Sequence, residues 1–282
     1  MNARVISGKE VAENILSNDL RARVEKLKDK DIVPKLVVIL VGEMKASASY
    51  VAQKEKFAGK AGIESEVRRF EDTIKEQEIL DEIKKINSDA SIHGVIVQLP
   101  LPKHISVTKV LNSIDPSKDV DGFTPNNVGK LFLGEDTLVS CTPKGIMSIL
   151  QSANVDLTGK NVTVIGRSNI VGKPVSILCQ QQNATVTMCH SKTRDINAKL
   201  ADADIIIVAA GVPKFINGDQ IPDGAVVVDV GIHNIDGKLC GDVDFESASK
   251  KASAITPVPG GVGPMTVCAL IENTILAAER VS

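Results

Sequence analysis

Aromatic side chains are nearly missing from this sequence: among 282 residues there is no tryptophan, one tyrosine and six phenylalanines. A core without rings must be filled by Val, Ile, Leu and Ala, the usual packing of parallel sheets covered by helices. The five cysteines are odd in number and widely spread, as Cys141, Cys179, Cys189, Cys240 and Cys268. They form no CxxC pair and no Cys/His spacing of a zinc ligand set, so neither a disulfide framework nor a metal site is expected. A reducing cytosol is the simpler setting, with Cys141 and Cys189 read as packing residues. No apolar run approaches membrane-spanning length, and the opening "MNARVISGKEVAENIL" lacks the apolar core of a signal peptide. Neither sign of charge dominates, with 33 basic and 35 acidic residues. That balance argues against nucleic acid or an anionic membrane as the main partner. A cytoplasmic protein is expected.

What the sequence does contain is alternation of strands and helices. Val11, Ile15, Leu16, Leu20, Val24 and Leu27 make a helical stripe, and "KLVVILVG" then reads as a buried strand ending in glycine. A helix carrying "YVAQKEKFAGKAG", another marked by Ile79, Leu80, Ile83 and Ile86, and a strand "HGVIVQLPLP" halted by prolines follow. Such alternation predicts parallel βαβ units. After a loop-rich stretch, "CTPKGIMSIL" opens a helix with Thr142 as N-cap and Pro143 at its first position. A second series runs through "NVTVIG", "VGKPVSILCQQQ", "TVTMC", "DIIIVAAG" and "AVVVDVGI", and a last helix follows "PVPGGVGP". The fold class is α/β in two domains, with a boundary near Ser140. Periodicity leaves open which domain the last helix joins.

The turn "VTVIGRSNIVGKP" has the context of a dinucleotide site: a buried strand, a glycine at its end and a helix start. Gly166 permits the tight turn, Ser168 stands at the middle glycine position, and Gly172 completes the pattern. Amides at the helix start are expected to face a phosphate. Units that bind NAD place an acid about 20 residues beyond the glycines. Here "TVTMCHSKTRD" offers His190, Ser191, Lys192 and Arg194 before any acid, and Arg167 lies in the turn itself. Hydroxyl and cationic groups suit a 2′-phosphate, so NADP is expected rather than NAD. The plainer alternative is a solvated charged loop.

The only tyrosine, Tyr50, lies four residues before Lys54. On a helix this spacing puts both on one face, roughly 5–6 Å apart at Cβ. A surface Tyr resting on a Lys stem is the ordinary reading. Small neighbours (Ala46, Ala48, Ala52, Ala58) instead point to close packing beside one polar stripe. Gln98 stands at the carboxyl end of "GVIVQLP", the sheet edge where ligand groups gather, and Lys54 is a candidate partner for it. Asp119 and Asp121 in "DVDGF" are either ligand carboxylates or simple turn residues.

The segments "ASASYVAQKEKFAGKAGI", "GVIVQLPLP", "DPSKDVDGF", "CTPKGI", "GRSNIVGKPV", "ADIIIVAAG", "VVVDVGI" and "PVPGGVGPMT" run in order over nearly the whole chain. Together they resemble the methylenetetrahydrofolate dehydrogenase/cyclohydrolase family, with no departure at the positions that carry chemistry. The resemblance implies an N-terminal folate-binding catalytic domain (1–140 plus 265–282) and a Rossmann-like NADP-binding domain (141–264), facing across a cleft. The last helix would return to the first domain, and the protein would be a homodimer joined through the nucleotide domain. Tyr50 would stack beside the folate, Lys54 would be the central acid/base, Gln98 would orient it, and Asp121 would grip the pterin. Gly166, Arg167, Ser168, Gly172, Ser191 and Ile232 would carry NADP, with Ile232 near the nicotinamide. Pro259, Gly260 and Gly261 would line the substrate site. The implied chemistry is NADP-dependent oxidation of 5,10-methylenetetrahydrofolate followed by hydrolysis to 10-formyltetrahydrofolate. A lysine at its ordinary pKa of about 10.4 is a poor base at neutral pH, so the role asks for burial and a cationic substrate to lower it.

Two rivals remain at this level. A shikimate-type dehydrogenase would also use a lysine and an aspartate, but it leaves "VQLPLP" and "PGGVGPMT" unexplained. A binding module that kept the nucleotide fold without chemistry would not need all four of Tyr50, Lys54, Gln98 and Asp121.

Overall fold

The computed structural model describes residues 2–42 and 45–282, and for residues 45–50 the backbone alone. The chain begins with β1 (Arg4–Val5), α1 (Gly8–Ile15) and α2 (Arg21–Lys28), the helices joined by a π-helical turn at Leu16–Leu20. Next come β2 (Lys35–Val41), α3 (Lys45–Ala61), β3 (Glu64–Phe70), α4 (Glu76–Ser88) and β4 (Gly94–Val97). Two short helices, α5 (Val107–Asn112) and α6 (Pro125–Leu133), lead to α7 (Cys141–Ser152). The second series is β5 (Asn161–Ile165), α8 (Gly172–Gln181), β6 (Thr185–Cys189), α9 (Ile196–Leu200), β7 (Ile205–Val208) and β8 (Val226–Asp229). A hairpin of β9 (His233–Ile235) and β10 (Lys238–Cys240) precedes α10 (Phe245–Ala248), β11 (Ala254–Ile255) and α11 (Val262–Glu279).

These elements form two compact units. One joins Asn14–Cys141 to Val267–Ser282, and the other joins Met1–Glu13 to Thr142–Thr266. In the first, β3, β2 and β4 make a parallel sheet in that order, with β2 at its centre. The run "LVVILV" is buried on both faces, as a central strand between helices must be. Val37, Ile39 and Val41 pack in one cluster with Ile79, Ile83 and Ile86 of α4, residues spaced to share a helix face. Each of these fully buried isoleucines stabilises the unit by about 1.5–3 kcal/mol. Arg23 of α2 makes a two-pronged ion pair with Glu279 of α11, at 2.9 and 2.7 Å, which docks the last helix onto this unit.

The second unit holds a six-stranded, wholly parallel sheet in the order β1-β11-β8-β7-β5-β6. Strand β5 lies between β6 and β7, so the strand order reverses there, and the crevice beyond that point is where such sheets bind ligands. The assignment of residues 1–13 to the first domain is corrected. Arg4 and Val5 pair with Ala254 and Ile255, and the backbone N–H of Ile6 donates to the Ile255 carbonyl at 2.8 Å, so the N-terminus is an edge strand of this sheet. A second difference is smaller: α7 begins at Cys141, one residue before the cap expected at Thr142. Thr142 instead pairs its hydroxyl with that of Thr266, at 3.0 Å.

Candidate active site

Lys54 sits on α3, one turn after Tyr50, and its Nζ donates to Gln98 Oε1 at 3.0 Å. The other end of the Gln98 amide donates to the Leu99 carbonyl at 2.9 Å, which fixes the oxygen toward the lysine. The Gln98 backbone N–H donates to Ile39 of the neighbouring strand, so the side chain leaves directly from the carboxyl edge of the sheet. The side chain of Tyr50 lies outside the described residues.

The two aspartates of "DVDGF" have different jobs. Asp119 is buried and accepts from the Thr124 N–H at 2.7 Å and from Asn127 Nδ2 at 3.0 Å, while its segment bridges to Val95 of β4. It is a turn-ordering carboxylate. Asp121 is half-buried, and burial holds its pKa above the ordinary carboxylate range. The positive charge of Lys54 opposes that shift, Asp119 adds to it, and a hydrogen bond from Cys141 works with Lys54. Lys54, Gln98 and Asp121 therefore act within one constellation.

Two further residues support it, Cys141, which sequence reading set near the site as packing, and Asn273, which it had not placed here. Cys141, read as packing, also donates its thiol to the Val120 carbonyl at 3.1 Å. Asn273, buried in α11, donates through Nδ2 to the carbonyls of Val120 at 2.9 Å and Val139 at 2.8 Å. The only sequence signal was an asparagine inside the apolar run "ALIENTIL". Gly122 adopts φ +69°, and a side chain there would meet the backbone of residues 138–140, so the chain after Asp121 tolerates only glycine.

In the other unit the residues expected to carry the nucleotide follow the carboxyl ends of β5, β6 and β8. Gly166 follows β5, with φ +129° and its backbone N–H donating to the Cys189 carbonyl at 2.9 Å. A Cβ on Gly166 would overlap the Ala209 carbonyl oxygen, and one on Gly172 would overlap that of Gly166. The cradle is thus shaped by the lack of side chains, as a backbone approached by a pyrophosphate requires. The amides at the helix start are engaged within the turn. Those of Val171 and Gly172 donate to Ser168 Oγ at 3.1 and 3.3 Å, and that of Lys173 to the Ser168 carbonyl at 3.1 Å. Ser168 thereby holds the turn's shape and takes the donors expected to face a phosphate.

Arg167, after β5, and Ser191, after β6, are both exposed. The first acid after them, Asp195, caps α9 by accepting from the Ala198 N–H at 3.0 Å, so it is engaged elsewhere than on a ribose. Ile232, 46% exposed, follows β8. Pro259, Gly260 and Gly261 follow β11, and the Gly260 carbonyl accepts from the Lys9 N–H at 3.0 Å. Gly8 packs so tightly on Gly261 that no Cβ fits between them.

A further network was not foreseen. Asp229 Oδ1 accepts from the N–H groups of Gly231 and Asp242, and Oδ2 from Val243, all at 2.9 Å. Burial nevertheless pushes its pKa up to about 6. Asp242, fully buried, accepts at Oδ2 from Ala210 and Gly211 N–H and at Oδ1 meets His233 Nε2 at 2.7 Å. Among the described residues no His, Cys, Asp and Glu cluster is built to hold a metal ion, and no helix is long and apolar enough to cross a membrane.

Comparison with known proteins bears on both units. The model of the tetrahydrofolate dehydrogenase/cyclohydrolase catalytic domain matches residues 6–121, and that of the same family's NAD(P)-binding domain matches 140–282. The bifunctional protein FolD of Exiguobacterium sibiricum is 53% identical over 277 residues, 98% of this chain and 100% of its own. The crystal structure of FolD from Campylobacter jejuni, 46% identical, superposes with a TM-score of 0.97 over 99% of this chain and 100% of that one. The methylenetetrahydrofolate dehydrogenase-cyclohydrolase of Trypanosoma brucei, complexed with NADP cofactor and inhibitor, is 37% identical, with a TM-score of 0.94 over 100% and 99% of the two chains.

Proposed function

The chain belongs to the tetrahydrofolate dehydrogenase/cyclohydrolase family, and from that premise we propose how its residues divide the two reactions. The enzyme oxidises 5,10-methylenetetrahydrofolate to the 5,10-methenyl form with NADP, then hydrolyses that cation to 10-formyltetrahydrofolate. NADP supplies the hydride acceptor. In the oxidation, the protein's contribution is proximity and orientation: Tyr50 stacks on the folate and Asp121 fixes its register. In the hydrolysis, Lys54 accepts a proton from the water adding to the methenyl carbon and returns it to N5 as the C–N5 bond breaks, while the remaining hydroxyl proton leaves to solvent as the formyl carbonyl forms. Gln98 orients the amine without adding charge.

The single observation that carries this reading is the Lys54 Nζ to Gln98 Oε1 bond beside Asp121. For the cofactor, Gly166 and Gly172 leave room for the pyrophosphate, Ser168 shapes the turn, and Arg167 with Ser191 takes the 2′-phosphate. Engagement of Asp195 as a helix cap favours NADP over NAD. Ile232 lies against the nicotinamide. A cytoplasmic homodimer completes the proposal, supported by the unpaired edge of β6 in the sheet. Sedimentation as a monomer at micromolar concentration would contradict the dimer.

The test is an assay with 5,10-methylenetetrahydrofolate and each cofactor in turn, following both products. NADP is expected to give methenyl and then formyl product, with at least about tenfold higher kcat/KM than NAD. Equal use of the two cofactors would overturn the assignment of Arg167 and Ser191. Methenyl product that accumulates without hydrolysis would overturn that of Lys54.

A further inference from the structure

The carboxyl ends of β5, β7 and β8 form one edge of the nucleotide unit's sheet, with the order reversing at β5. On the reading above, the 2′-phosphate end of NADP lies toward β6 and the pyrophosphate at Gly166. The nicotinamide then falls beyond β7 and β8, beside the loops that hold Ala209–Gly211 and Gly231–Ile232. Neither loop is a regular element, so something must hold each in place.

Asp242 does so for both. Its Oδ2 accepts from the Ala210 N–H at 2.7 Å and the Gly211 N–H at 2.8 Å, which ties down the exit from β7. Its Oδ1 meets His233 Nε2 at 2.7 Å, which ties down the residue next to Ile232. Gly231, on the other side of Ile232, donates to Asp229 and is packed so tightly on the Asp242 carboxylate that no side chain fits. The β7 loop in turn abuts the cofactor turn, because the Ala209 carbonyl is what bars a Cβ from Gly166. One buried carboxylate thus joins the pyrophosphate cradle, the β7 exit and the hairpin of β9 and β10.

We propose that Asp242, acting through His233 and the amides of Ala210 and Gly211, is a positioning residue for hydride transfer, fixing the loops that flank the nicotinamide. This rests on the assignment of the nucleotide to this unit. A carboxylate accepting several charge-assisted bonds at once makes a stiff junction, and hydride transfer depends steeply on the angle and distance at which the ring is held.

The test replaces His233, whose loss removes one strand of the network and leaves the buried carboxylate its two amide donors. His233→Ala is expected to lower kcat for oxidation about tenfold and to weaken NADP about three- to tenfold. Binding of adenosine 2′,5′-bisphosphate, which lacks the nicotinamide, is expected to stay within about twofold, as is nucleotide-independent hydrolysis of methenyltetrahydrofolate. His233→Gln, whose amide can place a donor where Nε2 stood, should recover most of the loss. An oxidation rate and NADP affinity within about twofold of the parent in His233→Ala would overturn the proposal, as would equal weakening of both nucleotides. Failure of the parent enzyme itself to bind adenosine 2′,5′-bisphosphate would instead overturn the nucleotide assignment on which the proposal stands.

Discussion

Lys54 bears on the charge of Asp121, and that influence can be read at a single carboxyl group. Burial raises the Asp121 pKa and Lys54 pulls it back. Folding therefore favours protonated Asp121, so the stability this group contributes is complete at low pH and is lost as pH rises through its folded pKa. Lys54→Met removes the opposing charge, and the Asp121 midpoint, followed by carbon NMR of the carboxyl, is expected to move further up. An unmoved or lowered midpoint would separate the two groups and dissolve the constellation. Turn pattern alone could not tell Asp119 from Asp121, two residues apart in one turn, and only the family resemblance singled out Asp121. What divides them is tertiary: Asp119 meets the N–H of Thr124 and the amide of Asn127, while Asp121 comes under the charge of Lys54. Lys54 and Gln98, by contrast, were legible because helix spacing and strand-end position are local properties.

Among the elements, the cofactor turn depends on how closely the start of α8 approaches the end of β5. Gly172 makes that approach possible, since a Cβ would strike the Gly166 carbonyl oxygen. Gly172→Ala should push the turn outward and weaken NADP about tenfold or more, with hydrolysis of methenyltetrahydrofolate little changed, as parallel binding and rate measurements would show. Unaltered NADP affinity would mean the turn adapts at no cost. The strands themselves were plain in the sequence, because runs such as "KLVVILV" and "DIIIV" are continuous and bounded by glycine or polar residues. The role of Ser168 was not, for which N–H a hydroxyl accepts from depends on the fold of its own turn.

At the scale of the molecule, local pattern foretold two α/β units but not how the chain shares itself between them. The pairing of Arg4 and Val5 with Ala254 and Ile255 joins residues some 250 positions apart, and a two-residue edge strand has no periodicity to reveal it. The return of the last helix to the first unit likewise rests on distant partners, Arg23 with Glu279 and Asn273 with Val120. The central claim is that the amine of Lys54, held by Gln98, moves the protons of hydrolysis. Its most direct measurement is the single-turnover rate of methenyltetrahydrofolate hydrolysis by Lys54→Met, with NADP binding as the check on folding. A loss of about a hundredfold or more with NADP affinity intact is the predicted result; hydrolysis at the parent rate would contradict the account.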